Sequence, residues 1–194
     1  MAKKRGFTIV ELVVVMTIMG ILLTLGIVGL GASQANARDT ERKSDIEAIA
    51  KGLESRYVQG NIFGVASYIT KGTYPSVYEL QHAQGQSVST ITPNQQTQYL
   101  EQILNGTRTS NFFPPGAESS DITATFKPIC TSSCAAAENA AQRDAAANTP
   151  GVYVYEPITA TGAVCLNTAC VRYNLYYRLE TSSATVQKKE SLRQ

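Results

Sequence analysis

Tryptophan is absent from this chain of 194 residues, histidine occurs once, and no proline appears before Pro75. Between Phe7 and Ala37 the only charged residue is Glu11. These gaps exclude a good deal. The single histidine, His82, lies in a polar stretch without a visible partner, whereas general acid–base chemistry needs a positioned partner group. His82 therefore reads as a surface residue. No phosphate-cradling glycine loop and no helical metal-ligand motif occurs. No catalytic constellation is present, so the expectation is a protein that is not an enzyme and needs no cofactor. The formal net charge is +2, and Lys3, Lys4 and Arg5 carry three of the positive charges. Without them the balance falls to −1, which gives no basic stripe for nucleic-acid binding by bulk charge.

The most prominent feature is the long apolar run. Phe7 to Leu30 is 24 residues, which as a helix spans about 36 Å at 1.5 Å per residue. That is enough to cross a bilayer core of about 30 Å. The basic residues just before it place the N-terminus on the cytoplasmic side and the rest outside. Two simpler readings compete. A secretory signal peptide would use Ala35-Asn36-Ala37 as a cleavage site, but its apolar region is normally much shorter. A plain anchor explains the length and the flanks but leaves Glu11 without a role. A carboxylate inside such a segment is expensive, roughly 2.5–3.5 kcal/mol at the helix centre on insertion scales, and by default functional.

The run Gly6-Phe7-Thr8-Ile9-Val10-Glu11-Leu12 resembles the cleavage and methylation site of type IV pilins and related pseudopilins. The resemblance runs from Gly6 to about Tyr57 and is loose beyond. It implies cleavage after Gly6 by a prepilin peptidase, N-methylation of the new first residue Phe7, and a place for Glu11 near the N-terminal amine of a neighbouring subunit. An unpaired buried carboxylate is penalised, so such a pair favours correct axial register. Many pilins kink this helix with proline. Here Gly20, Gly26, Gly29 and Gly31 stand instead, a residue type that is frequent in membrane helices.

Ile46, Ile49, Ala50, Leu53 and Tyr57 recur at helical spacing and predict an amphipathic continuation, with Arg42, Lys43, Asp45, Glu47, Lys51, Glu54 and Arg56 on the remaining surface. Glu47 and Lys51 stand four apart and would pair. Gly60-Asn61 is a stop signal. Residues 60–75 read as a loop ending in Lys71-Gly72-Thr73-Tyr74-Pro75, a turn that resembles one common in the same family. Short helices are expected at Val77 to Gln81 and Asn94 to Leu104. Asn111 to Gly116 is a turn-rich connector, and Ala135 to Ala147 an alanine-rich helix or insertion. Strand signals come late: Thr123 to Ile129 is the weakest, then Gly151 to Tyr155. Cys170 to Leu179 is the clearest, with Val171, Tyr173, Leu175, Tyr177 and Leu179 alternating against Arg172, Asn174, Tyr176 and Arg178. The tail from Ser182 is a last edge strand or disordered. Tyr153, Tyr155, Tyr173, Tyr176 and Tyr177 read as sheet core and subunit contact with hydroxyls at the rim.

Cys130, Cys134, Cys165 and Cys170 all fall in the part expected outside the cytoplasm, where disulfides persist. Their spacings overlap with zinc-ligand spacings, but no histidine is near. Two disulfides are expected. Four cysteines allow three connectivities, and the local one, Cys130 with Cys134 and Cys165 with Cys170, is favoured. Asn105-Gly106-Thr107 is a formal glycosylation sequon.

The fold expectation is α+β: leader 1–6, membrane or filament-core helix 7–30, amphipathic continuation 31–59, and a head 60–194 built on a small antiparallel sheet. The functional expectation implied by the resemblance is a pilus subunit for adhesion, twitching motility or DNA uptake, with a pseudopilin of a type II secretion machine next and a membrane-anchored binding protein third. The major pseudopilins carry a calcium-binding loop, and no Asp-rich loop is seen here. The implied partners are further copies in a helical polymer, minor pilins, the cytoplasmic membrane before assembly, the prepilin peptidase, and an assembly platform with its ATPase. The implied end point is an extracellular filament.

Overall fold

The computed structural model describes residues 6–59, 71–84, 93–117, 119, 121–129, 150–167, 169–182 and 185–193. The elements are α1 (Ile9–Gln59), α2 (Val77–Ala83), α3 (Pro93–Ile103), a 3-10 turn (Thr109–Phe112), α4 (Ile122–Thr125), β1 (Phe126–Pro128), β2 (Tyr153–Ile158), β3 (Arg172–Arg178) and β4 (Val186–Glu190). By internal contacts the chain divides into Met1–Ala37 and Arg38–Gln194. The class is α+β, with the long N-terminal helix expected from the sequence. The Ala135 to Ala147 stretch lies outside the described residues.

In the first unit, α1 runs through Gly20, Gly26, Gly29 and Gly31 without a break. The apolar side chains described there, from Phe7 to Leu30, are all exposed.

In the second unit, β1 to β4 form one sheet in sequence order. β2–β3 and β3–β4 are antiparallel, with Tyr155 opposite Leu175 and Tyr176 opposite Lys188. The expectation of a wholly antiparallel sheet is corrected by β1, which runs parallel to β2 with Phe126 opposite Tyr153. A parallel neighbour needs a crossover of about a dozen residues or more, and the stretch between Pro128 and Tyr153 provides it. The predicted strand from Thr123 is corrected too. Asp121 caps a helical turn by accepting the Thr123 amide at 2.9 Å, so extended structure begins only at Phe126.

Ile46, Ile49, Ala50 and Leu53 of α1 pack with Tyr74, Leu80, Leu100, Phe112, Phe126, Tyr153, Tyr155, Tyr173 and Leu175 in the main core. Tyr176 keeps the predicted alternation. It lies on the opposite sheet face, yet is buried in a second cluster with Ile129 and Val154, and its hydroxyl donates to Glu156 at 2.6 Å.

The charged residues of α1 depart most from expectation. Arg42, Asp45 and Arg56 are not surface residues: all three are buried, and so is Asp39. Positions 39, 42, 46, 49, 53 and 56 follow helical spacing, so the apolar stripe is flanked at both ends by buried charge. Buried charge is costly unless paired and hydrogen-bonded, and at the Asp39–Arg42 end it is both. Asp39 accepts the amides of Glu180 and Thr181 at 2.8 and 3.0 Å and the Thr181 hydroxyl at 2.5 Å. Arg42 donates to Asp39 at 2.8 Å, to the carbonyls of Pro115 and Pro150 at 2.6 and 3.0 Å, and to Glu180. Arg38 closes a two-pronged contact on Glu180 at 2.6 and 2.9 Å. Glu47 reaches Lys189 of β4 at 2.6 Å rather than a partner on its own helix.

Candidate functional site at the start of α1

α1 begins with a reciprocal cap. The Glu11 amide donates to Thr8 Oγ1 at 3.3 Å, while the Thr8 amide and hydroxyl both donate to Glu11 Oε2 at 3.3 Å. This is a capping box, S/T-x-x-E, in which two amides left over at a helix start are satisfied by side chains. The carboxylate also sits where the helix dipole favours negative charge. The signal was present in Thr8-Ile9-Val10-Glu11, and reading Glu11 only as an intermolecular partner missed it.

The rest of the segment presents no unmet polar group among its described residues. The hydroxyls of Thr17 and Thr24 donate to the carbonyls of Val14 and Ile21 at 2.8 Å. Such back-bonding is how a helical hydroxyl is satisfied without water. Phe7 is 84% exposed and Ile9 84%, and a Cβ built at Gly6, Gly20, Gly26 or Gly31 meets nothing within 4 Å. By length and composition this part of α1 can cross a membrane. Chemically, the site is an apolar surface with one carboxylate near its N-terminal end. It can receive a positive group there and bury the remainder against lipid or another apolar helix.

The other expected site residues lie far along the chain. Cys165 and Cys170 form a disulfide with Cα atoms 5.6 Å apart, as expected. Cys130 and Cys134 lie outside the described residues. The loop enclosed by Cys165 and Cys170 organises its surroundings, because the amides of Val77 and Tyr78 donate to the carbonyls of Cys165 and Leu166 at 3.1 and 2.9 Å, and Tyr74 donates to Cys170 at 2.8 Å. The disulfide thereby holds the start of α2, whose own cap is the Ser76/Glu79 box. His82 is half-buried rather than on the surface. The hydroxyls of Tyr153, Tyr155, Tyr173 and Tyr176 are not at the rim either. Tyr153 donates to Asp45 at 3.0 Å, Tyr155 to the Pro75 carbonyl at 2.7 Å, and Tyr173 to the Ala50 carbonyl at 3.4 Å. Burial, the first cause in each case, pushes all three phenols well above their ordinary range. They are structural groups. Among the described residues no group of three or more His, Cys, Asp or Glu is placed to hold a metal ion.

Residues 1–31 match the family described as the prokaryotic N-terminal methylation motif. The matched stretch is shorter than the resemblance read from the sequence, and covers the basic leader, Gly6-Phe7, Glu11 and the whole apolar run. No curated protein and no solved structure matches the chain. The match marks a prepilin-type processing signal and supports a precursor of type IV pilin or pseudopilin kind, a structural class of protein held in a membrane by its apolar N-terminal helix.

Proposed function

We propose that this chain is the precursor of a type IV pilus subunit, cleaved after Gly6, N-methylated at Phe7 and polymerised through α1 into an extracellular filament. The observation that carries this reading is a coincidence in one segment. The methylation motif covers an apolar stretch of helix whose described apolar side chains are exposed. Residues 1–6 are then the leader, 7–30 the membrane and filament-core segment, 31–59 its amphipathic continuation, and 60–194 the displayed head. Cleavage leaves a positive amine on Phe7, and Glu11 lies one helical turn away to meet the amine of a neighbour.

In the membrane Val13, Val14, Ile18, Ile21, Leu22 and Leu25 face lipid, which is as apolar as a neighbouring helix. Helix association there has little hydrophobic drive of its own. Extraction into a filament therefore requires external work, which is the role of the assembly platform and its ATPase. Adhesion, twitching motility or DNA uptake are the duties such a filament would serve. The motif is shared with pseudopilins of type II secretion, the second reading.

Intact mass and N-terminal sequence of the protein from sheared cell-surface material test this. A chain beginning at Phe7 with one added methyl, recovered in the sheared fraction, is the expected result. An uncut chain confined to membranes, or one beginning at Arg38, overturns it. A deletion strain that keeps its pili but loses secreted enzymes moves the assignment to the secretion machine.

A further inference from the structure

Between the α1 stretch from Ala48 to Ser55 and the loop from Asn105 to Asn111 lies an open groove of about 520 Å³. We propose that this groove binds an acidic oligosaccharide, with Lys51 and Arg108 pairing with its carboxylates. The proposal concerns the second unit alone and does not rest on the filament reading.

Charge is the first argument. Lys51 and Arg108 line the groove and no carboxylate does. Both are exposed, and neither is in an ion pair among the described residues. The acids nearest to them in the chain are committed elsewhere. Glu47 holds Lys189 at 2.6 Å. Glu54 accepts the Tyr74 hydroxyl and the Leu192 amide, each at 2.9 Å. Glu101 accepts the Thr109 amide at 2.9 Å. Two positive charges are left facing one concavity without compensation.

Shape is the second. The groove is preformed, because the loop is fixed to the helix. A Cβ on Gly52 would come within 2.1 Å of the Leu104 carbonyl oxygen and 2.2 Å of Thr107 Oγ1, so only glycine permits this approach. Asn105 and Gly106 both take positive φ, 43° and 82°, and the Asn105 amide donates to the Ser55 hydroxyl. A ligand entering a rigid groove meets a smaller ordering cost than one that must order a loop.

Lining chemistry selects the ligand. The Ser110 hydroxyl lines the groove, the Ser55 hydroxyl accepts from Asn105 and keeps its own proton to donate, and Asn111 gives its amide nitrogen to Asp45 and keeps its amide oxygen as an acceptor, groups suited to sugar hydroxyls. The Arg108 guanidinium can take a carboxylate through two parallel hydrogen bonds. No aromatic residue lines the groove, whereas binding of single-stranded nucleic acid depends on base stacking, and duplex binding on a longer array of cations.

The test uses the full-length chain in detergent micelles, with oligogalacturonate as probe and calorimetry as readout. Maltodextrin of equal length and single-stranded DNA of equal charge are the comparisons. Saturable binding of oligogalacturonate alone is expected, weakened at least tenfold by Lys51→Gln with Arg108→Gln. Lys71→Gln, at an exposed lysine elsewhere, should leave it unchanged. Thermal unfolding of each variant verifies its fold. Absence of saturable binding overturns the proposal, as does binding that the double variant does not weaken. Equal affinity for the DNA overturns it too, by showing attraction to charge alone.

Discussion

Tyr153 of β2 donates its hydroxyl to Asp45 of α1 across 3.0 Å, inside the core. Asn111 Nδ2 donates to the other oxygen of that carboxylate at 2.8 Å. Burial pushes the Asp45 carboxyl up, and these two donors pull it part of the way back. Tyr153→Phe removes one donor from a buried charge and should cost about 1.5–3 kcal/mol. The loss should be larger at pH 7 than near pH 4, because the Tyr153 hydroxyl stabilises the charged carboxylate more than the neutral carboxyl. Thermal unfolding of the full-length chain in detergent at the two pH values checks both statements.

Asp39 and Glu180 respond to pH in the opposite sense. Burial alone would raise Asp39, but the Thr181 hydroxyl, the Glu180 and Thr181 amides and Arg42 outweigh it and hold it down to about 2. The Arg38 guanidinium is the main cause that holds Glu180 down to about 2. Groups with depressed pKa contribute stability that is complete above the ordinary carboxylate range and lost as pH falls toward 2. Unfolding temperature should therefore drop between pH 4 and pH 2, and Asp39→Asn with Glu180→Gln should flatten that drop. Asp45 and Glu79, both raised by burial, act against it, so the double variant is the comparison that isolates the effect. Arg42→Ala takes one donor from each of two carboxylates that keep Arg38 or Thr181 as partners, and should cost about 1.5–3 kcal/mol.

Gly52→Ala should destabilise although it improves helix propensity. The added methyl meets a carbonyl oxygen and a hydroxyl at little over 2 Å, and overpacking of this kind costs about 1–3 kcal/mol. Gly20→Ala, with open space around it, gives the opposite sign in the same assay.

Reduction of the Cys165–Cys170 bridge should loosen the start of α2 before the sheet. A loop this short contributes about 2 kcal/mol on a chain-entropy account. Hydrogen exchange should accelerate first at Val77 and Tyr78, whose amides bond to the enclosed loop, in Cys165→Ser with Cys170→Ser. Uniform acceleration across β2 and β3 would show that the bridge acts on the whole core instead.

Glu11→Ala should abolish or sharply slow filament formation while leaving unfolding of the second unit unchanged. Thr8→Val separates the two roles of the carboxylate. It removes the cap, worth about 1 kcal/mol, but keeps the charge, so filaments should still form. Loss of filaments in both variants would assign Glu11 to capping rather than to pairing between subunits.

The N-terminal segment was legible because its signals are local. The motif, the apolar run and the start of α1 all lie within consecutive residues. The α1 core stripe was legible from Ile46, Ile49 and Leu53 for the same reason. Asp39, Arg42 and Asp45 were not. Their burial depends on Thr181, Glu180, Pro150 and Tyr153, all more than a hundred residues away, and nothing in local spacing marks a charge whose partner lies that far off. The parallel placement of β1 was equally hidden, since strand direction is decided by where a long connection returns the chain. Tyr176 shows what alternation leaves out, because it stays on the far face of the sheet as predicted and is buried there by a second cluster with Ile129 and Val154.

The bonds between α1 and the turn after β3 carry one further consequence. Arg38, Asp39, Glu41 and Arg42 are the first charged residues of the helix after Glu11, and Arg38, Asp39 and Arg42 join Glu180, Thr181, Pro115 and Pro150 through a set of short contacts. Tension transmitted along the helix from its N-terminal end reaches these contacts before it reaches the apolar core. Several contacts share the load there, so the fold is braced against traction at the point where a pulled helix would first begin to peel away.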